Sequence, residues 1–239
     1  MNRTVAVIQA RTGSSRLPNK VLAPLFGETS LLAFQCRRLK AMKGVDQLVI
    51  ATTESESDDV IAEIGEAEGV RVVRGSELDV LSRFVKVAEA CFAKTIIRIT
   101  SDSPLRDPSV IEACLEAHRT AKAEYTRPAE GHLPKGMRAE IVESRALMEL
   151  DADPMLPSRY REHVTLYIRE NPGLYITAEA RFEEAVRRPD YDVSVDTPED
   201  LRFVRALHEE LTTKGWPVDA AHICKALDAR HITRWREQA

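Results

Sequence analysis

Arg11, Arg16 and Lys20 fall within one short stretch, IQARTGSSRLPNKVL at 8–22, with Gly13, Ser14 and Ser15 among them. A short apolar run at 5–8 leads into it. Cations beside small, flexible positions are the chemistry of a phosphate cradle. Backbone N–H groups around a glycine approach phosphate oxygens without a side chain in the way. Arg11 and Arg16 offer planar forks for two-point contact, and Lys20 a compact point charge. The stretch fits neither G-x-x-x-x-G-K-[ST] nor G-x-G-x-x-G. The alternative is a solvated cationic connection between a strand and a helix.

Phosphoryl or nucleotidyl transfer also needs charge compensation by a divalent ion such as Mg²⁺, which takes oxygen ligands and needs only one or two carboxylates. Two segments supply them. RITSDSPLRDP at 98–108 carries Asp102, and YDVSVDTPED at 191–200 carries Asp196. Each has a plainer reading. Asp102 and Asp107 flank Ser103 and Pro104, a common turn composition, and Asp196 stands where a helix cap is needed.

The elements that must position these residues follow from periodicity. TVAVI (4–8), QLVIAT (47–52), VRVV (70–73) and TIIRIT (95–100) read as buried strands. Between them, 30–42, 57–69 and 79–92 space apolar residues as helices do, with Ser57 and Asp58 as starting residues, and a further helix follows Pro108 from Ser109 to His118. This alternation predicts an α/β fold: a mostly parallel, Rossmann-like sheet with helices on both faces. Such sheets bind ligands at the carboxyl ends of their strands, where the 8–22 loop, Asp102 and Asp196 all fall.

From 124 to 195 the rhythm changes to shorter strands at EYTRP, GMRAEIVES, LYITAEA and YDVSV, with one helix near 158–170. The expectation is a single domain over 1–239, with 124–180 a small strand-rich subdomain that completes the sheet edge and offers a dimer surface. A helix at 197–211, capped by Thr197 and opened by Pro198, and another near 218–228 close the chain.

The composition limits the partners. The 239 residues carry a net charge of −4, so no global basic field attracts nucleic acid. Cys36, Cys91, Cys114 and Cys224 are scattered, as in reduced cytosolic proteins. No run is long enough to span a membrane, and the first apolar run is short for a signal peptide. A cytoplasmic protein is expected.

The ordered pattern A-R-x-G-S-x-R-L-P-x-K-x-L within 8–22 resembles the nucleotide-binding signature of sugar cytidylyltransferases. That family includes the acylneuraminate and 3-deoxy-manno-octulosonate enzymes and, most similar, the spore-coat polysaccharide biosynthesis protein F group. RITSDSPLRDP is similar to the family's R-I-T-G-D-C-P-L-I-D-P, and VSVDTPEDL to its V-D-T-P-E-D-L. Ser101 replaces the glycine, Ser194 replaces a further aspartate of sialate enzymes, Glu54 replaces another, and Gln9 stands where many members have proline.

The resemblance implies a nucleotide-diphospho-sugar transferase fold and an Mg²⁺-dependent enzyme. It would transfer CMP from CTP to a sugar acceptor, expected to be a sugar acid, as a homodimer. Arg11, Ser14, Arg16 and Lys20 would hold phosphate with backbone from Ala10 and Gly13. Asp102 and Asp196 would hold the metal, and Thr52, Thr53, Arg74 and Ser76 would build the nucleotide pocket. Lys135, Arg138, Glu140 and Glu162 would approach the acceptor; Arg161 and His163 lie on the same helical stretch. Other readings are a nucleotidyl- or glycosyltransferase using GTP, UTP or a nucleotide sugar, or a non-catalytic nucleotide-binding protein.

Overall fold

The computed structural model describes residues 3–14 and 16–230. Ser15 of the cationic loop lies outside the described residues. In chain order the elements are β1 (Arg3–Gln9), β2 (Pro24–Phe26), β3 (Thr29–Ser30), α1 (Leu31–Leu39), β4 (Gln47–Thr53), α2 (Asp59–Ala67), β5 (Arg71–Gly75), α3 (Val80–Cys91) and β6 (Ala93–Thr100). Then come α4 (Pro108–Ala121), β7 (Tyr125–Pro128), β8 (Glu140–Glu143), α5 (Ser144–Asp151), α6 (Ser158–Glu162), α7 (Leu166–Glu170), β9 (Thr177–Ala180), α8 (Pro198–Thr213) and α9 (Ala220–Ala229).

Seven strands form one sheet in the order β5-β4-β1-β6-β8-β7-β9. The predicted strands β5, β4, β1 and β6 pair in parallel, and β8 runs antiparallel to both β6 and β7. Alternation along β1 shows why helices cover both faces. Val5 and Val7 pack with Leu81, Phe84 and Val87 of α3, whereas Ala6 and Ile8 pack with Leu32 and Leu39 of α1 and Ile111 of α4. A third apolar cluster joins α8 and α9 to Leu25 and Leu31.

The helix starts follow local chemistry. Ser30 accepts from Ala33 N at 3.2 Å, Asp79 from Ser82 N at 2.9 Å and Asp107 from Ser109 N at 2.8 Å. Thr197 and Asp200 form a reciprocal capping box at α8.

Four local expectations are corrected. Residues 191–195 form no strand but a single bridge, Lys135 to Asp192. The helix near 158–170 is two short helices broken at Val164, whose φ of 48° lies in the left-handed region. Asp58 does not cap the helix at 57–69, because its carboxylate is drawn into the loop before α1. A hairpin of β2 and β3, turning at Gly27 (φ 56°), was not legible as alternation because its strands are so short. No helix among the described residues is long and apolar enough to cross a membrane.

Candidate active site

The parallel register of β1 and β6 sets Gln9 opposite Thr100, so the loops that follow leave the sheet side by side. Ser101 N donates to Gln9 O at 3.1 Å and holds them together. The 8–22 loop is closed by Asn19 N donating to Thr12 O at 3.1 Å, and anchored by Ala10 N donating to Ala51 O at 3.0 Å on β4.

Its firmest tether is Asp58. That carboxylate accepts from Thr12 N at 2.8 Å and Thr12 Oγ1 at 2.6 Å, and from the hydroxyls of Thr52 and Thr53 at the end of β4. Burial pushes the Asp58 pKa up, but the hydroxyl and backbone donors outweigh it and hold the group below its ordinary value. Thr52 and Thr53 are almost wholly buried. Their hydroxyls thus serve the loop anchor rather than the open cleft.

Arg11 pairs with Glu77 at 3.2 Å. Arg16 and Lys20 both reach Asp196, at 3.1 and 3.3 Å, and Lys135 approaches its other oxygen at 3.6 Å. Asp196 is 7% exposed. Burial raises its pKa, yet Lys20, Lys135 and Arg16 together keep it lowered. The neighbouring Val195 N donates to Asp102 O at 2.7 Å, which draws the two acids onto one rim from distant parts of the chain. Asp102 Oδ1 accepts from Thr100 Oγ1 at 2.7 Å and Ser103 Oγ at 2.8 Å. Its Oδ2 makes no hydrogen bond among the described residues. These hydroxyls orient the carboxylate towards the space between the loops.

That space is a cleft of about 430 Å³ lined by Ala10, Arg11, Gly13, Ser14, Arg16, Lys20, Asp102 and Glu162 of the expected residues, and also by Leu78, Val80, Arg83 and His163. A second cleft of about 320 Å³ shares Arg98, Thr100 and Asp102 with the first. It is lined by the expected Lys135, Arg138 and Glu140 and by Arg106, Arg127 and Arg169. Cations therefore predominate on its walls.

Glu140 is the internal counter-charge there. It accepts from Arg98 Nη1 at 2.6 Å, Thr165 Oγ1 at 2.9 Å and the Tyr125 hydroxyl. Burial raises its pKa, but Arg98 and these donors keep it ionised with a lowered value. Burial lowers the Arg106 pKa to about 10 despite the opposing pull of Asp102.

Arg74 and Ser76 line neither cleft. Arg74 spans Thr53 O, Ser55 O and Asp59, and Ser76 accepts from Asp79 N at 3.1 Å in the turn before α3. Two residues escaped the sequence reading. Asp58 looked like a helix start, because its partner Thr12 is remote in the chain. Arg83 did leave a signal, a charge on the apolar stripe of Val80, Phe84 and Val87.

No group of three or more histidine, cysteine, aspartate or glutamate side chains that could hold a metal occurs among the described residues. Asp102 and Asp196, set among phosphate-gripping cations, instead fit an ion whose shell is completed by substrate oxygens and water.

Residues 5–218 match the family model described as cytidylyltransferase. The spore coat polysaccharide biosynthesis protein SpsF of Bacillus subtilis is 40% identical over 214 residues, 88% of either chain. A 3-deoxy-manno-octulosonate cytidylyltransferase of Solibacter usitatus is 26% identical over 89% of this chain and 97% of its own. Among solved structures, a cytidylyltransferase from Leptospira borgpetersenii matches with a TM-score of 0.86 and 27% identity, covering 97% of this chain and 96% of the other. The fold is also that of a CMP:2-keto-3-deoxy-manno-octonic acid synthetase solved with CTP, at TM-score 0.64 and 20% identity over 87% of this chain and 99% of the other.

Proposed function

Because the chain belongs to the cytidylyltransferase family, and so is a nucleotidyltransferase, we propose that it transfers CMP from CTP to an anionic sugar with the aid of a divalent ion, Mg²⁺ in the cell. The observation that carries this reading is the meeting of two clefts at Asp102. One is walled by the cationic loop and suits a triphosphate. The other is walled by Arg98, Arg106, Arg127, Lys135, Arg138 and Arg169 and suits a carboxylated sugar.

The sugar hydroxyl attacks the α-phosphorus in line: its oxygen forms the new P–O bond, the bond to the β-phosphate breaks, pyrophosphate leaves, and the hydroxyl proton passes to solvent. Arg11, Arg16 and Lys20 stabilise the charge gathering on the leaving pyrophosphate. Asp102 and Asp196 are the metal ligands, and the bound ion would lower the charge on the reacting phosphates and the pKa of the attacking hydroxyl. Lys135 and Arg138 orient the acceptor, with Glu140 fixing Arg98 and Glu162 at the mouth of the first cleft. Thr52, Thr53, Arg74 and Ser76 support the nucleotide by holding the loop and the start of α3. Residues 124–180 carry acceptor binding and dimerisation within a single domain, in a cytoplasmic enzyme of surface-polysaccharide synthesis.

The test is pyrophosphate release from CTP, UTP and GTP, with acidic and neutral sugars, with Mg²⁺ or with chelator. Turnover with CTP and a sugar acid, abolished by chelator, is expected. Turnover with neutral sugars alone, or with UTP or GTP in preference to CTP, overturns the reading.

A further inference from the structure

Arg83 is only 2% exposed and ranks among the largest fully buried side chains. Yet its Nε and Nη1 have no hydrogen-bond partner among the described residues. Buried N–H donors are seldom left open, least of all on a charged group, so such a guanidinium points to a missing acceptor. The fold makes room for this side chain. At Gly75, the last residue of β5, a Cβ would come within 2.7 Å of Arg83 Cγ, so any larger residue there would push the arginine out of place.

Arg83 lines the first cleft beside Val80 and beside Leu78, which is 84% exposed. Its charged surroundings are Arg11, Asp58, Glu77 and Asp79, a set separate from the cations gathered on Asp196 at the phosphate end. Three acids against one further arginine already balance its charge, so this end of the cleft does not require another anion. Apolar surface next to open N–H donors suits a flat heterocycle with hydrogen-bond acceptors along one edge. Cytosine presents two adjacent acceptors, N3 and O2. Uracil has the same size but carries a hydrogen on N3, which would face an arginine N–H. We infer that Arg83 reads the N3 and O2 edge of cytosine and so selects CTP over UTP. This inference rests on the proposed use of CTP and names the residue that enforces it.

Titration calorimetry with the full chain, Mg²⁺ present, compares CTP, UTP, 3-deazacytidine triphosphate (C–H in place of N3) and tripolyphosphate. The wild-type protein should prefer CTP to UTP by ~10-fold or more and lose a similar factor with the 3-deaza analogue. Arg83→Lys, which keeps charge without the planar fork, and Arg83→Met should bind all three nucleotides alike and leave tripolyphosphate affinity unchanged.

Equal affinity of the wild-type protein for CTP and the 3-deaza analogue overturns the inference without recourse to any variant. So does a CTP preference that survives in both variants. Parallel losses of CTP and tripolyphosphate affinity would make Arg83 a phosphate anchor instead. A wild-type preference for UTP or GTP overturns the proposed function itself, and this inference with it.

Discussion

Val195 donates its backbone N–H to the carbonyl oxygen of Asp102 at 2.7 Å, and through that bond Asp196 and Asp102 share one rim of the sheet. The bond is between main-chain groups, so it positions both acids whatever their side chains do. The hydroxyls of Thr100 and Ser103 then aim Asp102, while Arg16, Lys20 and Lys135 hold Asp196.

Asp102→Asn keeps the size and the backbone bond but removes the charge. Pyrophosphate release from CTP should fall by about 10²–10³, the scale of losing one electrostatic stabiliser of a transition state. The circular dichroism spectrum should match the wild type. Retention of most activity would remove Asp102 from the reaction.

Asp58→Ala strands the buried Thr12 N–H and the hydroxyls of Thr52 and Thr53. A destabilisation of about 1–3 kcal/mol is expected in urea unfolding, the cost of leaving buried donors unmet. The same variant should bind tripolyphosphate more weakly, because the loop loses its tether. Unchanged affinity would show that the loop is ordered without Asp58.

The pH dependence of stability follows from the same carboxylate. The folded pKa of Asp58 is depressed, so its contribution is complete above the unfolded carboxylate value, near 4, and is lost as pH falls through the lower folded value. Asp58→Asn should therefore unfold with a shallower loss of stability between about pH 4 and pH 2 than the wild type. Parallel curves would contradict this.

Glu140→Ala leaves Arg98 buried without its counter-charge, since the two side chains are each 15% exposed and 2.6 Å apart. Breaking one side of such a pair costs about 3–5 kcal/mol, which a thermal unfolding scan would read as a large fall in Tm. Arg138→Ala, on an exposed side chain of the second cleft, should leave stability and the KM for CTP alone. It should raise the KM for a sugar acid by ~10-fold, as expected for one lost charge-assisted contact. A change confined to the KM for CTP would reassign the second cleft.

What could be read from the sequence alone was whatever near neighbours decide. The β-branched runs and apolar helical spacings gave the parallel half of the sheet, and Ser30, Asp79, Asp107 and Thr197 marked helix starts that the structure keeps. The cationic loop and Asp102 were legible because strand–loop order dictates which end of a parallel sheet they occupy. Tertiary structure decided which partner each polar group takes. Asp58 had every local reason to cap a helix, but the desolvated N–H of Thr12 and two buried hydroxyls outbid it. Residues 191–195 carry a strand pattern, yet their backbone groups turn to Lys135 and Asp102 instead of a neighbouring strand. Arg83 stood out as a charge on an apolar stripe, but only the fold could show that its N–H groups are buried, open and facing the cleft. Periodicity and caps depend on residues a few positions away, whereas the partner of a buried polar group depends on where the whole chain packs.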